Sequence, residues 1–333
     1  MSLGSFFSLL LSASALAQTW TPVPSGTTAS LRGISAVNAN VIWASGTNGT
    51  YLHTSDGGAT LQVAIVPGGE PLDFRGIHAL SDRIVYLLSS GPGEKSRIYK
   101  TIDGGGHWTL QYKNPGPQGF FDAIAFWDAR HGIVLGDPID GHFAVLTTEN
   151  GGENWRQQPG PAAGNQEGAF AASNSCLLAV GKSDAWFATG GPGGARVFHS
   201  KDSGRTWTVV STPIRNDSAS AGIFSLAFAG NRGIAVGGDY TKPADSTHNI
   251  AVTSDGGRTW TEPTGQHPAG YRSAVAYLPG AKAWITVGTS GSDISHDNGQ
   301  AWKAFDVIPY NALSVAGELC WAAGPNGRLA RIK

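Results

Sequence analysis

One short turn motif occurs six times along this chain, and its repetition constrains the fold more than any other feature. Each copy has Ser or Thr, then Asp or Asn two residues later, Gly two residues further on, and Trp or Leu three residues after that Gly. The copies read TSDGGATL (54–61), TIDGGGHW (101–108), TENGGENW (148–155), SKDSGRTW (200–207), TSDGGRTW (253–260) and SHDNGQAW (295–302). Neighbouring copies are 42 to 53 residues apart. A period in this range predicts a propeller, a solenoid or another repeat array.

Apolar and β-branched residues flank the copies, which indicates a strand, a turn and a second strand. Asp or Asn followed by Gly favours a tight turn, because Gly readily adopts positive φ. The Asp carboxylate can accept hydrogen bonds from backbone N–H groups of the turn, and Trp can fill the gap between neighbouring sheets. We therefore predict that the acid or amide of each copy is structural; these residues are Asp56, Asp103, Asn150, Asp202, Asp255 and Asp297.

The repeats divide the chain into seven units of four strands each. Inner strands are predicted to start near Leu31, Phe74, Phe121, Ala169, Ile223, Tyr271 and Ala312. The seventh unit ends after its third strand, whereas residues 19–23 resemble the segments that follow the turn motifs. We predict an all-β protein, a seven-bladed β-propeller of four-stranded antiparallel blades, whose ring is closed by the N-terminal strand joining the C-terminal blade. Such closure removes exposed sheet edges, and a six-bladed ring is the alternative.

Composition and the N-terminus limit the compartment and the partners. The chain has 333 residues, of which 14% are charged, and a formal net charge of −1, so no overall field favours nucleic acid. An apolar run over residues 6–17 ends in Ala15-Leu16-Ala17, which is typical of a secretory signal peptide and too short to span a bilayer. We predict a signal peptide at residues 1–17, cleavage near Ala17, and a single propeller domain at 18–333. The mature protein is then secreted or periplasmic, is not membrane-spanning and is a monomer.

Propeller topology directs attention to one face of the ring. The start of each inner strand and the loop between the second and third strands share a face, and the turn motifs lie on the other. Candidates at the strand starts are Arg32, Arg75, Asp122, Glu167, Tyr271 and Arg272. Candidates in the loops are Asp137, Asp140, His142, Asp239, Tyr240 and Lys242. Together they form either a ligand site at the channel mouth or a network of internal ion pairs that plugs it.

The turn motif resembles the Asp-box, or BNR, repeat of sialidases and related β-propellers, in which it is a structural turn away from the active site. The order of strands and turns in LRGISAVNANVIWASGTNGTYLHTSDGGAT resembles the photosystem II stability/assembly factor family over roughly residues 20–333. That resemblance implies a seven-bladed propeller that binds a protein partner. In photosynthetic members a basic patch helps to bind a membrane-protein precursor, and here Arg32, Arg75 and Arg272 are the candidates for it.

No complete catalytic signature is present. G-x-S-x-G and H-E-x-x-H are both absent. A sialidase would need an arginine triad with a Tyr and a Glu, but the Arg-Ile-Pro signature of that family is missing. A glycosidase with two carboxylates remains open, although nothing singles out a pair. The catalytic candidates are Glu167, Asp122, Asp137, Asp239 and Tyr240.

Two functions follow from these observations. The first is a secreted, non-catalytic scaffold, similar to an assembly factor, that binds a protein or peptide through the channel-mouth face. The alternative is a glycan-active enzyme that uses acids and arginines at the same mouth. The predicted ligand-binding residues are Arg32, Arg75, Arg272, Tyr271, Asp122, Glu167 and Asp239. The nine histidines are scattered, so we expect neither a metal site nor a cofactor.

Overall fold

A computed structural model describes residues 19–333, so the predicted signal peptide and its cleavage site near Ala17 lie outside the described residues. The described chain forms β1–β27 and a single-turn 3₁₀ helix at Gly93–Lys95. The strands make seven antiparallel sheets, in which successive strands are neighbours apart from the sheet that joins the two ends of the chain. The predicted seven-bladed β-propeller is therefore confirmed.

The strand bounds follow blade by blade. The N-terminal strand is β1 (Thr21–Pro22). Blade one comprises β2 (Leu31–Ala36), β3 (Ile42–Gly46), β4 (Thr50–Thr54) and β5 (Gln62–Ile65). Blade two comprises β6 (Phe74–Ala79), β7 (Val85–Ser89), β8 (Arg97–Thr101) and β9 (Thr109–Lys113). Blade three comprises β10 (Phe121–Phe126), β11 (Gly132–Ile139), β12 (His142–Thr148) and β13 (Arg156–Gln158).

The second half of the ring continues in the same order. Blade four comprises β14 (Leu177–Val180), β15 (Asp184–Ala188), β16 (Arg196–Ser200) and β17 (Thr208–Ser211). Blade five comprises β18 (Ala221–Ala229), β19 (Arg232–Asp239) and β20 (Ile250–Thr253). Blade six comprises β21 (Ala274–Leu278), β22 (Ala283–Gly288), β23 (Gly291–Ser295) and β24 (Lys303–Asp306). Blade seven comprises β25 (Ala312–Ala316), β26 (Leu319–Ala323) and β27 (Leu329–Ile332), with β1 as its outer strand.

Blade five departs from the four-stranded pattern. Its outer strand is reduced to one bridge, in which Val252 and Thr261 exchange backbone hydrogen bonds of 2.8 and 3.0 Å. Pro263 follows two residues later, and proline lacks the N–H that a longer ladder would need. The chain then turns toward blade six, where the Trp302 N–H donates to the Gln266 carbonyl at 2.8 Å.

The N-terminal segment closes the ring as predicted. Thr21 pairs with Arg331 and Pro22 pairs with Ala330 in the antiparallel β1–β27 ladder. The indole of Trp20, which precedes β1, is buried and donates a 2.9 Å hydrogen bond to the Ser292 hydroxyl of blade six. Closure thus joins the first strand to blade seven by backbone bonds and to blade six by a side chain.

The turn motif has the local geometry expected of a structural turn. In the first copy the Asp56 carboxylate accepts hydrogen bonds from the Thr54 hydroxyl at 2.8 Å and the Thr60 N–H at 2.9 Å. The Thr54 hydroxyl also accepts the Gly58 N–H at 3.0 Å. Side-chain and backbone hydrogen bonds from Thr60, and then the Thr54 hydroxyl, lower the pKa of Asp56 to about 2. Gly58 has φ of +87°, and a Cβ there would lie 2.8 Å from the Trp321 ring.

Apolar side chains pack between every pair of neighbouring blades, which gives seven separate core clusters. The aromatic residue of each turn motif contacts the cluster shared with the preceding blade: Trp260, for example, packs with the blade-four residues Ala188 and Val197. Leu61 occupies this position in blade one, and Trp20 occupies it in blade seven. The N-terminal segment therefore supplies blade seven with both its outer strand and its inter-blade aromatic residue.

The predicted inner strand of blade four is wrong by eight residues, since β14 starts at Leu177 instead of Ala169. Residues 169–176 leave the blade and cross the centre of the ring. The Asn174 side chain accepts the Ile124 N–H of blade three at 2.8 Å, and the Ser173 hydroxyl donates to the Ser273 carbonyl beside blade six at 2.7 Å. In blade six the inner strand also begins later than predicted, at Ala274 instead of Tyr271, because the backbone N–H groups of Tyr271 and Arg272 donate to the Pro243 and Gly237 carbonyls on the side of blade five.

Replacing Trp20 with Ala should lower the free energy of unfolding by about 3–5 kcal/mol, because a large buried aromatic is lost from the closing seam. Urea unfolding followed by tryptophan fluorescence measures the change. Trp20→Phe is the matched control, since it keeps an aromatic ring and loses the hydrogen bond to Ser292, and it should lose less stability. An unchanged midpoint for Trp20→Ala would contradict the role of this side chain in closure.

Candidate functional site

β-bulges position the side chains that face the centre of the ring. The register of the first two strands slips by one residue at Arg32, Arg75, Asp122 and Phe224, in blades one, two, three and five respectively. A further slip occurs at Asp137 in β11. A bulge leaves one residue outside the ladder and redirects its side chain. Each of these five bulged residues lines one cavity at the channel mouth.

This channel-mouth cavity has a volume of about 500 Å³, which lies within the range of small-ligand sites. Residues 169–172 of the crossing segment form part of its wall. Three arcs make up most of the lining. The basic arc is Arg32 and Arg75 of blades one and two, and the acidic arc is Asp122 and Asp137 of blade three, beside which Phe120 also lines the cavity. The aromatic arc consists of Phe170 from the crossing segment with Phe224, Tyr240 and Tyr271 from blade five and the start of blade six. A ligand in the cavity would therefore contact cationic, acidic and aromatic side chains on different sides.

The basic arc contains one paired and one unpaired arginine. Arg75 Nε donates to Asp73 Oδ2 at 2.7 Å, and its Nη1 donates to the Ala171 carbonyl at 3.3 Å. Arg32 forms no side-chain hydrogen bond or ion pair with residues 19–333, and its Nε is buried. Burial, followed by repulsion from Arg75, lowers the pKa of Arg32. Arg32 therefore offers a guanidinium group that an anionic or carbonyl ligand can satisfy.

The acidic arc is buried and incompletely satisfied. Asp122 is 1% exposed, and neither of its carboxylate oxygens accepts a hydrogen bond of regular geometry in the described chain, although the nearby Ala171 N–H favours its ionised form. Asp137 is half-buried and accepts the Ala169 N–H at 3.0 Å through Oδ1. Burial, then the nearby Asp137, raises the pKa of Asp122, and burial also raises the pKa of Asp137. Both acids thus hold protons more tightly than exposed carboxyl groups do.

The aromatic arc forms the opposite side of the cavity. Phe170 stacks on Phe224 with ring centroids 3.8 Å apart and an interplanar angle of 11°. Tyr271 contacts Phe224 edge-on at 4.8 Å, and burial raises the pKa of its hydroxyl. Tyr240 is 52% exposed and lies at the rim, 6.2 Å from Phe224 between ring centroids. These rings offer an apolar surface to the alkyl, aromatic or sugar face of a ligand.

Three of the predicted site residues, Glu167, Arg272 and Asp239, instead form hydrogen bonds and ion pairs within the protein. Glu167 accepts Thr189 Oγ1 at 2.5 Å and the Gly164 N–H at 2.6 Å, and it forms a two-pronged ion pair with Arg196. Arg272, which is 1% exposed, donates to Asp293 at 2.5 Å. These pairs fit the predicted plug of internal ion pairs more closely than a ligand site.

Asp239 is likewise satisfied by its own loop. It accepts the Ser220 hydroxyl at 2.7 Å and the Thr241 hydroxyl at 2.6 Å, with Lys242 3.5 Å away. Burial alone would raise its pKa, but the hydrogen bonds from Thr241 and Ser220 lower it to about 2. The remaining loop candidates, Asp140 and His142, are exposed and outside the cavity lining. The structure thus divides the predicted mouth residues into cavity-lining residues, internally paired residues, and the two exposed residues Asp140 and His142.

The sequence patterns predict Tyr240 and Tyr271 of the aromatic arc but not Phe170 and Phe224, because neither phenylalanine is a charged or polar residue at a strand start or in a loop. Phe224 occupies the position in GIFSL that Arg32 occupies in LRGIS, so aligning the repeats by their inner strands indicates that both side chains face the centre. Phe170 carried no such signal, because it lies in the irregular segment that crosses the ring. Among residues 19–333, no helix is long and apolar enough to cross a membrane, and no three His, Cys, Asp or Glu residues are grouped to hold a metal ion.

Comparison with known proteins identifies the fold. No family model and no curated protein sequence matches this chain. Solved structures that resemble it include YCF48 bound to a D1 peptide, with a TM-score of 0.65, 18% identity, and coverage of 97% of this chain and 99% of that one. YCF48 from Cyanidioschyzon merolae has a TM-score of 0.63, 18% identity, and coverage of 94% and 98%. The WD40 β-propeller domain of Doa1 has the same TM-score with 12% identity and coverage of 95% and 96%. At these identities the likeness establishes the propeller fold.

Replacing Arg272 with Ala should cost about 3–5 kcal/mol of unfolding free energy, because it leaves Asp293 buried without its cation. Arg32→Ala is the matched control, since that guanidinium has no protein partner, and it should cost much less. Chemical denaturation of both variants measures the difference. Equal losses would contradict the division between internal supports and cavity residues.

Proposed function

We propose that this chain is a non-catalytic binding propeller, similar to an assembly factor, that holds a protein or peptide segment at the channel-mouth cavity. The observation that carries the proposal is the unpaired Arg32 guanidinium in the same cavity as the stacked Phe170 and Phe224 rings. A peptide offers carbonyl or carboxylate oxygens to the arginine and apolar side chains to the rings. Burying such a pair of contacts contributes both orientation and affinity.

Two further considerations support a peptide ligand. YCF48, a photosystem II assembly factor with the same fold, has been solved with a D1 peptide. The Asp-box motif and the order of strands resemble those of the photosystem II stability/assembly factor family along most of the chain. We propose that the ligand of this chain is also a protein segment, without assigning the photosystem as its source.

We also propose a compartment for this protein. The apolar run at residues 6–17 supports export, cleavage near Ala17 and a secreted or periplasmic propeller at 18–333. We propose that the mature protein acts as a monomer, because the closed ring has no blade edge that requires a second copy. Mass spectrometry of the exported protein would test the cleavage site, and light scattering would test the monomer.

Arg32→Glu should weaken binding of an acidic peptide by about tenfold or more, because a charge-assisted hydrogen bond becomes a repulsion. An array of short N-acetylated, C-amidated peptides first identifies binders of the wild-type protein, and fluorescence anisotropy then measures their affinities. Arg258→Glu is the matched control, since Arg258 is exposed in the fifth turn motif on the opposite face. Equal affinities for wild type and Arg32→Glu, or no peptide binding at all, would refute the proposal.

A glycan-active enzyme is the second candidate, and a specific observation favours it. Asp122 and Asp137 line one cavity, and burial raises the pKa of both. A glycosidase needs one carboxyl group that stays protonated as a general acid and a second acid nearby. The aromatic arc would suit the apolar face of a sugar ring.

Turnover of a panel of chromogenic glycosides and natural glycans tests the enzyme candidate. The candidate predicts release of the aglycone by the wild-type protein and its loss in Asp122→Asn and Asp137→Asn, because either change removes one of the two carboxyl groups. Asp82→Asn, at an exposed position outside the cavity lining, should keep full activity. No turnover by the wild-type protein would rule against this function and leave the binding proposal standing.

A further inference from the structure

The acidic arc contains a buried carboxyl group that the protein leaves without regular hydrogen bonds or an ion-pair partner. Asp122 lies at the β10 bulge and is 1% exposed, and its Oδ1 and Oδ2 accept no hydrogen bond of regular geometry within the described residues; the nearby Ala171 N–H is the one backbone donor that favours its ionised form. Leaving a buried polar group unsatisfied destabilises a fold, and a buried carboxylate does so more than a neutral group. The cavity wall is therefore less stable with this side chain than with an apolar or paired one.

The nearby arginines do not form an ion pair with Asp122. Arg75 attracts Asp122 but is already engaged by Asp73 at 2.7 Å and by the Ala171 carbonyl. Arg272 is committed to Asp293 and lies outside the cavity lining. Asp137 adds a second acid, whose Oδ1 has one backbone donor, the Ala169 N–H. The pair thus carries potential negative charge that the folded chain leaves uncompensated.

We infer that the Asp122–Asp137 pair receives a basic group of the bound peptide, a lysine ammonium or an arginine guanidinium. This inference rests on the proposed function and specifies one residue of its ligand. A cation can donate hydrogen bonds to the partly exposed Asp137 and can also compensate the charge of the buried Asp122, whereas a neutral donor such as a glutamine amide supplies only the hydrogen bonds. The favoured ligand then carries a basic residue for blade three and an acceptor for Arg32.

The position of the pair fits such a ligand. Arg32 and the acidic pair lie in different blades of one cavity, with Arg75 between them along the ring, and no ion pair joins them. A free counter-ion would satisfy one of these groups at a time. A peptide satisfies both through neighbouring side chains, and its remaining apolar surface meets Phe170 and Phe224. Opposite charges on one ligand also fix its orientation in the cavity.

A peptide array tests this inference directly. Sets of N-acetylated, C-amidated peptides carry Lys, Arg, Gln or norleucine at one fixed position beside a fixed Asp. We expect enrichment of the Lys and Arg sets, and affinities about tenfold or more above the norleucine set, as expected for a lost charged pair. Asp137→Asn should reduce binding of the Lys peptide to a similar extent while leaving the norleucine peptide unchanged.

Controls distinguish this inference from the proposed function. Asp82→Asn removes an acid that is exposed and outside the cavity, and should leave every affinity unchanged. If peptides bind through Arg32 with no preference for Lys or Arg, the inference is overturned and the proposed function stands. Equal enrichment of the Gln set would also overturn it, because a neutral donor would then suffice. If no peptide binds, both fail.

A stability measurement supplies a second readout. Asp122→Asn should keep or raise the melting temperature of the unliganded protein, because it removes a buried acid without partners, while it weakens binding of the Lys peptide. Improved or equal stability together with lost binding is the combination expected of a ligand-binding residue. A large fall in melting temperature would show that Asp122 stabilises the fold instead, and would overturn its assignment to the ligand.

Discussion

The packing of one large apolar side chain, a Trp in six blades and Leu61 in blade one, into each gap between blades is the interaction on which the rest of this structure depends. A single four-stranded sheet has two apolar faces and cannot bury either alone, so each blade is stable only between two neighbours. The turn motif places Trp260 and its counterparts against the preceding blade, and Trp20 performs the same role for blade seven. Because blade seven takes this side chain from the N-terminal segment, the ring is complete only when the two ends of the chain meet.

Ring closure in turn determines where a cavity can form, namely at the mouth of the central channel. Once the blades pack side by side, the inner strands converge on the channel. Only the first residues of these strands can then depart from the regular β-ladder. Bulges use that freedom at Arg32, Arg75, Asp122 and Phe224, since each adds one residue whose side chain is outside the regular alternation. The crossing segment at 169–176 then provides a wall across the ring centre. A rigid scaffold thus supports a cavity whose lining varies from blade to blade.

Sequence predicted the parts of the fold that local chemistry determines. The turn motif, the count of seven units and the return of the N-terminal strand follow from residues close together in the chain or from repetition. The path of residues 169–176 was not predictable, because it depends on contacts with Ile124 and Ser273, which are distant in sequence. Position alone also placed Arg32 and Arg272 in one group, although only the structure shows that Asp293 neutralises Arg272.

That difference between two arginines separates an internal ion pair from the proposed binding site. Arg272 is buried with a carboxylate partner, and Glu167 is buried with Arg196, so folding satisfies both. Arg32 and Asp122 lie in the same channel mouth, have opposite charge, and are left without partners by the described chain. Folding stability alone favours pairing such groups or replacing them with apolar residues. Their presence in one cavity, beside supports that are fully paired, supports the proposal that a ligand supplies the missing partners.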